Sequence, residues 1–186
     1  MRFHILLVGL FFSFSALGQK EGQPYRDSLE NVMNDIRNLE KEQPGADNDA
    51  QKVNILCLLS RAYDGIDSTK TFDFAFEALK ISERNQSLKG TTDANFTIGR
   101  ALMYIDPNDA ASYLKKGHEL ANALLKKDDS KEHMKLWANG TYNLGLTYGY
   151  RDEHEKEIEL TETVIPIVEK LGDSLFLANI YTNLGV

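Results

Sequence analysis

The chain repeats a short pattern about every 40 residues, and this repetition restricts its fold more than any other feature. A tyrosine lies three positions after each of the small residues Ser60, Ala101 and Gly145, and Gly185 begins a fourth copy. An asparagine lies six positions before each small residue, and these are Asn54, Asn95, Asn139 and Asn179. A repeat of this length is one supersecondary unit, which buries its apolar face only by stacking on its neighbours.

Each repeat contains two helical patterns. In the second repeat, apolar and small residues between Tyr113 and Leu125 recur with the period of one helix face. Turn residues separate the patterns, for example Asp106-Pro107 within a repeat and Gly172-Asp173 between repeats. Pro166 lies inside the second pattern of the third repeat and predicts a kink or an early helix end. No segment alternates with a sustained period of two, so the sequence predicts an all-α antiparallel helix-hairpin solenoid.

The predicted organisation has three parts. Residues 1–18 combine a basic start at Arg2, an apolar run and a small-residue cleavage pattern at Ala16-Leu17-Gly18, as a secretory signal peptide does. Residues 19–50 contain an amphipathic helix, from about Asp27 to Lys41, followed by a linker. Residues 51–186 hold the repeats. We expect three full hairpins, at about 53–92, 94–136 and 138–176, and a truncated fourth at 178–186.

Charge and cysteine content exclude several classes of protein. The chain has 21 lysines and arginines against 28 aspartates and glutamates, and its net charge of −7 argues against a nucleic-acid partner. Cys57 is the single cysteine, which excludes an internal disulfide framework and a cysteine-rich zinc site. No segment after the signal peptide is long and apolar enough to predict a membrane span.

The residues show no catalytic or metal-binding constellation. His118-Glu119 and His154-Glu155 both lack the second histidine of an HExxH zinc site. The sequence has no glycine-rich phosphate loop and no nucleophile elbow. Cys57 lies in an apolar helical run, where a cysteine is usually an inert small hydrophobe. We therefore expect no enzymatic activity in this chain, no metal and no cofactor, although a kinase on a longer protein stays open.

The hairpins resemble tetratricopeptide repeats (TPRs). That family places a small residue at the eighth position of its first helix and an aromatic residue three positions later, which Gly145 and Tyr148 match. The segment at 70–79 resembles the second-helix pattern, with Ala78-Leu79 at the usual site. The period here exceeds the usual period of about 34 residues. The resemblance covers residues 53–186 and implies a protein- or peptide-binding solenoid whose first helices line the concave side.

A narrower similarity concerns bacterial signalling proteins. The signal peptide, the Asp27-Ser28-Leu29-Glu30 start, the segment at 52–56 and the turn at 171–173 look like the periplasmic sensor region of repeat-bearing histidine kinases and transcription regulators. This implies an exported N-terminal sensory fragment, tethered through a downstream transmembrane helix. The alternative is a free-standing periplasmic or secreted adaptor. Because Val186 falls within the fourth repeat, we expect a fragment whose open last repeat can self-associate.

The asparagine positions define the predicted peptide-binding groove. Each amide offers a donor and an acceptor, which suits the backbone of an extended peptide. Residues three, seven and ten positions after each asparagine share its helix face. The alternative is that the asparagines bond to neighbouring helices and hold the repeat spacing. The predicted groove residues are Asn54, Arg61, Asn95, Asn139, Tyr142, Asn143, Asn179 and Asn183.

Overall fold

The computed structural model describes residues 22–43 and 48–185, so the predicted signal peptide and Val186 lie outside the described residues. Within these ranges the chain forms eight α helices and no strand, which confirms the all-α prediction. The helices are α1 (Gln23–Glu42), α2 (Asp49–Tyr63), α3 (Ser68–Arg84), α4 (Leu88–Leu102), α5 (Pro107–Lys127), α6 (Lys131–Gly149), α7 (His154–Leu171) and α8 (Ser174–Leu184).

Short polar side chains begin most of these helices. The carboxylate of Asp106 accepts hydrogen bonds from the backbone N–H groups of Asn108 and Asp109, and Pro107 occupies the first helical turn. These contacts satisfy amide groups that have no partner inside the helix. At the other end of a helix, Gly172 terminates α7 in the left-handed conformation, with φ of 71°. The predicted turns at these two places are therefore real helix boundaries.

The early helix end predicted at Pro166 is wrong, because α7 continues to Leu171. Proline cannot donate to the carbonyl oxygen of Glu162, but both residues are exposed, so water can reach that carbonyl. On the opposite face of the helix, Val164 and Val168 are fully buried. Their burial favours the helical conformation through the proline.

The helices pack as successive hairpins. Each helix contacts the next along the chain, so α2–α3, α4–α5 and α6–α7 form three antiparallel hairpins, and α8 follows them. Two further contacts join α2 to α4 and α4 to α6. In the described part of the chain no close backbone contact joins α3 to α5 or α5 to α7, and α3 meets α5 through the side-chain pairs Phe76–Tyr113 and Glu83–Lys116. The first helices of the three hairpins therefore lie side by side, whereas the second helices are farther apart.

The three first helices have one common burial pattern, which corrects the sequence alignment. When Ser60, Gly99 and Gly145 are aligned, segments 53–62, 92–101 and 138–147 bury nearly the same positions. A Cβ on Gly99 would lie 3.1 Å from the carbonyl oxygen of Ala110, and one on Gly145 would lie 3.3 Å from that of Glu157. Each glycine therefore faces the equivalent point on the second helix of its own hairpin, α5 for Gly99 and α7 for Gly145. The small residue of the second repeat is Gly99, not Ala101 as predicted.

The mistaken alignment arose from Tyr104. Ala101 and Tyr104 reproduce the small-to-aromatic spacing of the other repeats, but α4 ends at Leu102, before the tyrosine. Tyr63 and Tyr148 are buried, whereas Tyr104 is 73% exposed. Spacing alone thus matched a surface tyrosine in a turn to two core tyrosines in helices.

The ring of Phe96 joins the second and third hairpins. This buried side chain on α4 lies against Gly117 of α5 and Gly140 of α6. A Cβ on Gly117 would come within 2.6 Å of the ring, and a Cβ on Gly140 would overlap it. Glycine is therefore required at both positions because the Phe96 ring leaves no room for a side chain, and not because of the backbone conformation.

Helix α1 covers the first hairpin through an apolar stripe and a polar cluster. Leu29, Met33 and Ile36 are buried in the same core as residues of α2 and α3. Beside them, the hydroxyl of Tyr63 donates to Glu30 at 2.5 Å, and Lys70 Nζ lies 3.1 Å from Glu30 Oε1. The hydrogen bond from Tyr63, followed by that from Lys70, lowers the pKa of Glu30 below its ordinary value.

Replacing Gly140 by alanine should destabilise the protein by about 1–3 kcal/mol, because the added methyl group overpacks the Phe96 ring. Urea unfolding of the Gly140→Ala variant measures this loss. Gly149→Ala is the matched control, since its Cβ would meet only the flexible carboxylate of Glu157. Equal losses of stability at the two positions would contradict the role given to the aromatic ring.

The contact between Glu30 and Tyr63 should stabilise α1 only while the carboxylate is ionised. Because folding lowers the pKa of Glu30, its contribution is present above the ordinary carboxyl pKa and is lost as the pH falls through the folded value. We therefore expect E30Q to lower the urea midpoint at pH 7, and the difference from the unsubstituted protein to shrink as the pH falls below the ordinary carboxyl range. E77Q, which removes an exposed pair with Arg37, provides the comparison. A difference that persists in acid would exclude this linkage.

Candidate functional site

One surface runs across the first helices, and we call it the first-helix face. Its members are exposed or partly exposed except Thr97, which is buried. Its members occupy equivalent positions in the corrected alignment, spaced by four and three residues so that they share one side of each helix. They are Asn54, Leu58 and Arg61 on α2, Asp93, Thr97 and Arg100 on α4, Asn139, Asn143 and Leu146 on α6, and Asn179 and Asn183 on α8.

Asn95 does not belong to this face, which corrects the prediction. Its side chain is fully buried, and its Nδ2 donates to the carbonyl oxygen of Thr91 at 2.7 Å. Asp93 takes the position that Asn54 and Asn139 occupy in their own helices. The alignment error of two residues therefore exchanged a buried amide for a surface carboxylate. The agreement of Ile98-Gly99 with Leu144-Gly145 is the signal in the sequence that identifies the correct position.

The part of the first-helix face on α2 and α4 is charged and internally paired. Arg61 forms an ion pair with Asp93 and donates to the hydroxyl of Thr97 at 2.8 Å. Arg100 pairs with Asp64, at the end of α2, at 3.1 Å. In the first pair α2 supplies the arginine and α4 the carboxylate, whereas in the second α4 supplies the arginine and the end of α2 the carboxylate. Arg61, predicted as a groove residue, thus lies on the face and also holds two hairpins together.

Cys57 lies beneath this charged part and has no access to solvent. Burial, and secondarily the charge of Asp93, raises the pKa of its thiol far above the ordinary value. A neutral thiol in such a position is not a nucleophile. The arrangement fits the inert small hydrophobe that the sequence indicates.

The part of the face on α6 and α8 carries amides instead of charges. Asn139 is exposed and donates one N–H to the carbonyl oxygen of Lys135 at 2.8 Å, which leaves its oxygen and its second N–H for a ligand or for water. Asn143 is partly exposed, and Asn179 and Asn183 are exposed. These four amides provide both donors and acceptors on one uncharged surface.

Tyr142 has a different position from the predicted one. Its ring is buried and packs edge-on against Phe176 of α8, with 5.3 Å between centroids. Its hydroxyl accepts a hydrogen bond from Asn183. Tyr142 and Asn183 therefore connect α6 to α8. For Asn183 this contact fits the alternative given above, in which the asparagines bond to neighbouring helices and hold the repeat spacing. Burial raises the pKa of Tyr142, so the hydroxyl stays neutral at physiological pH.

An open cavity of about 610 Å³ lies at one end of the first-helix face. Asn54 and Asp93 line it from the face, and Asp49, Asn85 and Lys89 line it from the neighbouring helix ends. Asp49 accepts hydrogen bonds from Asn85 at 2.5 Å and from Arg84 at 2.8 Å. The bond from Asn85 is the main cause of the lowered pKa of Asp49. The face thus continues into a polar recess at the N-terminal ends of α2 and α4.

Two further side chains that could contact a ligand, Trp137 and His118, have hydrogen-bond partners within the protein. Trp137 Nε1 donates to Asn122 Oδ1 at 2.8 Å, and His118 Nδ1 lies 2.8 Å from the hydroxyl of Thr141. Residues 22–43 and 48–185 contain no group of three potential metal ligands. In the same ranges no helix combines the length and apolar character needed to cross a membrane.

Comparisons with known proteins add no relative. No protein-family model matches the sequence, and no curated protein is significantly similar to it. The geometry of the first-helix face is therefore the basis for assigning a function.

Removing the bond between Asn183 and Tyr142 should loosen α8 without disturbing the first two hairpins. In the Tyr142→Phe variant we expect faster amide hydrogen exchange in α8 and unchanged exchange in α2 to α5, since α8 packs on α7 and contacts α6 through Tyr142. Mass spectrometry of the exchanging protein measures both regions. Unchanged exchange in α8 would show that apolar packing alone holds this helix.

Proposed function

We propose that this chain is a TPR-like protein-interaction module that binds an extended polypeptide on its first-helix face. The observation that supports this proposal is the asymmetry of the helix stack. Within the described residues, the backbones of α2, α4 and α6 approach one another closely, whereas α3 and α5 meet through long side chains. A stack with this asymmetry curves toward its first helices and presents them as an elongated concave surface.

The amides on α6 and α8 support a ligand with an exposed backbone. Asn139, Asn143 and Asn179 are open to solvent on one side of neighbouring helices, and each can donate and accept. A peptide group has one donor and one acceptor, which pair with such an amide in two hydrogen bonds. The charged part on α2 and α4 already neutralises itself through Arg61–Asp93 and Arg100–Asp64. The amide part is therefore the better contact surface for an extended peptide.

The cellular role rests on the sequence pattern. Residues 1–18 support export to the periplasm or the exterior. Together with the repeats, they favour the N-terminal sensory part of a membrane signalling protein, a histidine kinase or a transcription regulator. The alternative is a free-standing exported adaptor. In both cases this chain recognises a polypeptide and requires no cofactor.

The open surface of α8 favours self-association as an additional property. Positions that α6 buries, at Ala138, Thr141 and Gly145, correspond to the exposed Ala178, Tyr181 and Gly185 on α8. In α6 these positions face α7, as the contact of Gly145 with Glu157 and Thr161 shows. A second helix packed on α8 would bury the exposed Leu175 and Tyr181.

Peptide binding is tested with the double variant Asn139→Ala, Asn143→Ala. Linear peptides selected by phage display against the unsubstituted chain serve as probes, labelled for fluorescence anisotropy. We expect the double variant to bind them at least about tenfold more weakly, a loss of about 1.4 kcal/mol, with little change in melting temperature. Asn38→Ala, an exposed asparagine on α1, is the matched control and should leave binding unchanged.

The opposite result is equally informative. A large fall in melting temperature with unchanged peptide affinity would assign the asparagines to repeat spacing and would remove them from the binding surface.

A further inference from the structure

A second exposed surface lies at the turns inside the hairpins, away from the first-helix face. Four large side chains there are mostly exposed: Ile66 is 59% exposed, Tyr104 73%, Ile105 67% and Tyr150 52%. Ile66 belongs to the turn of the first hairpin, Tyr104 and Ile105 to the second, and Tyr150 to the third. Single exposed apolar residues are ordinary, but four at equivalent turns form a patch. We call these four residues the turn patch.

The turn patch is continuous from one hairpin to the next. Ile66, Tyr104 and Ile105 line one open cavity of about 410 Å³ between the first two turns. Across the next gap, the rings of Tyr104 and Tyr150 pack edge-to-face with 5.1 Å between centroids. Their hydroxyl groups also share a hydrogen bond, which raises the pKa of Tyr150 to about 12. Contacts of this kind fix side chains in place, so less conformational entropy is lost when a ligand binds.

The borders of the turn patch are acidic. Segments 64–70, 103–109 and 150–157 contain eight acidic residues and three basic ones. The basic side chains are paired: Lys70 contacts Glu30 and the Tyr63 ring, and Arg151 and Lys156 contact Glu153 and the Tyr148 ring. No ion pair within the described residues involves Asp109, Asp152 or Glu155. The patch therefore combines apolar side chains with a negative border.

We propose that the turn patch binds a basic amphipathic segment of a partner protein. The apolar side chains of that segment would enter the cavity beside Ile66 and Ile105, and its lysines or arginines would face Asp109 and Asp152. Apolar contact supplies affinity, and the complementary charges supply selectivity and faster association.

The charge on this surface distinguishes that partner from other occupants. A second copy would bring the same acidic border against the first, and like charges facing each other disfavour the contact. An anionic membrane would repel the border for the same reason. The inference does not depend on the proposed groove, since its residues lie in the turns and not on the first-helix face.

The test uses the full chain and three synthetic peptides of one length, built from lysine and leucine, glutamate and leucine, or lysine and serine. We expect only the lysine–leucine peptide to bind tightly, with an affinity that falls as salt is added. The double variant Ile66→Ser, Ile105→Ser should weaken this binding at least about tenfold. Leu175→Ser changes an equally exposed leucine on α8 and should have no effect.

Charge reversal provides a second measurement on residues that do not contribute to the core. The double variant Asp109→Lys, Asp152→Lys should lose the lysine–leucine peptide and gain the glutamate–leucine peptide. Equal binding of the two leucine peptides to the unsubstituted chain, or equal binding of the lysine–serine peptide, would overturn the proposal. So would a dimer in sedimentation, or binding to phosphatidylserine vesicles, that the Ile66→Ser, Ile105→Ser variant abolishes.

Discussion

The packing of Phe96 against two glycines is the contact on which the rest of the helix stack depends. Gly117 and Gly140 lie on different hairpins, and the ring occupies the space that their missing side chains leave. Because interiors are close-packed, this one insertion fixes both the distance and the register between α5 and α6. It also places α6 beside α4, so that the exposed amides of α6 continue the surface begun by the first two hairpins. The continuity of the first-helix face is thus a consequence of core packing at one aromatic side chain.

The fold was largely readable from the sequence because stacking leaves a period in the apolar residues. Helix α1, the hairpin turns and the absence of strands in the described part of the chain all follow from helix periodicity and turn chemistry. The early helix end predicted at Pro166 was the exception, and packing explains why the helix continues. A missing hydrogen bond on the solvent side has a small cost beside the burial of Val164 and Val168.

The candidate site was less predictable, because locating it requires the repeats to be aligned without an error of even one residue. A shift of two positions rotates a side chain by about 200° around the helix axis, to the opposite side of the helix. Asn95 was therefore assigned to a surface that Asp93 occupies. Position alone also cannot distinguish a ligand-binding amide from a structural one. Asn139 and Asn183 have the same residue type and similar exposure, yet Asn183 already bonds to Tyr142. The turn patch had no counterpart in the sequence analysis, since its members come from turns that only the fold brings together.

The limited attachment of α8 has a thermodynamic consequence for recognition. This helix packs on α7 and contacts α6 through the side chain of Tyr142, yet it carries two of the amides on the first-helix face. If the proposed peptide spans α6 and α8, the local opening free energy of α8 is linked to occupancy: such a ligand would order the helix, and an ordered helix would bind the ligand more tightly. Affinity would then follow the population of docked α8, so substitutions far from the ligand, at Phe176 for example, would change binding without touching it.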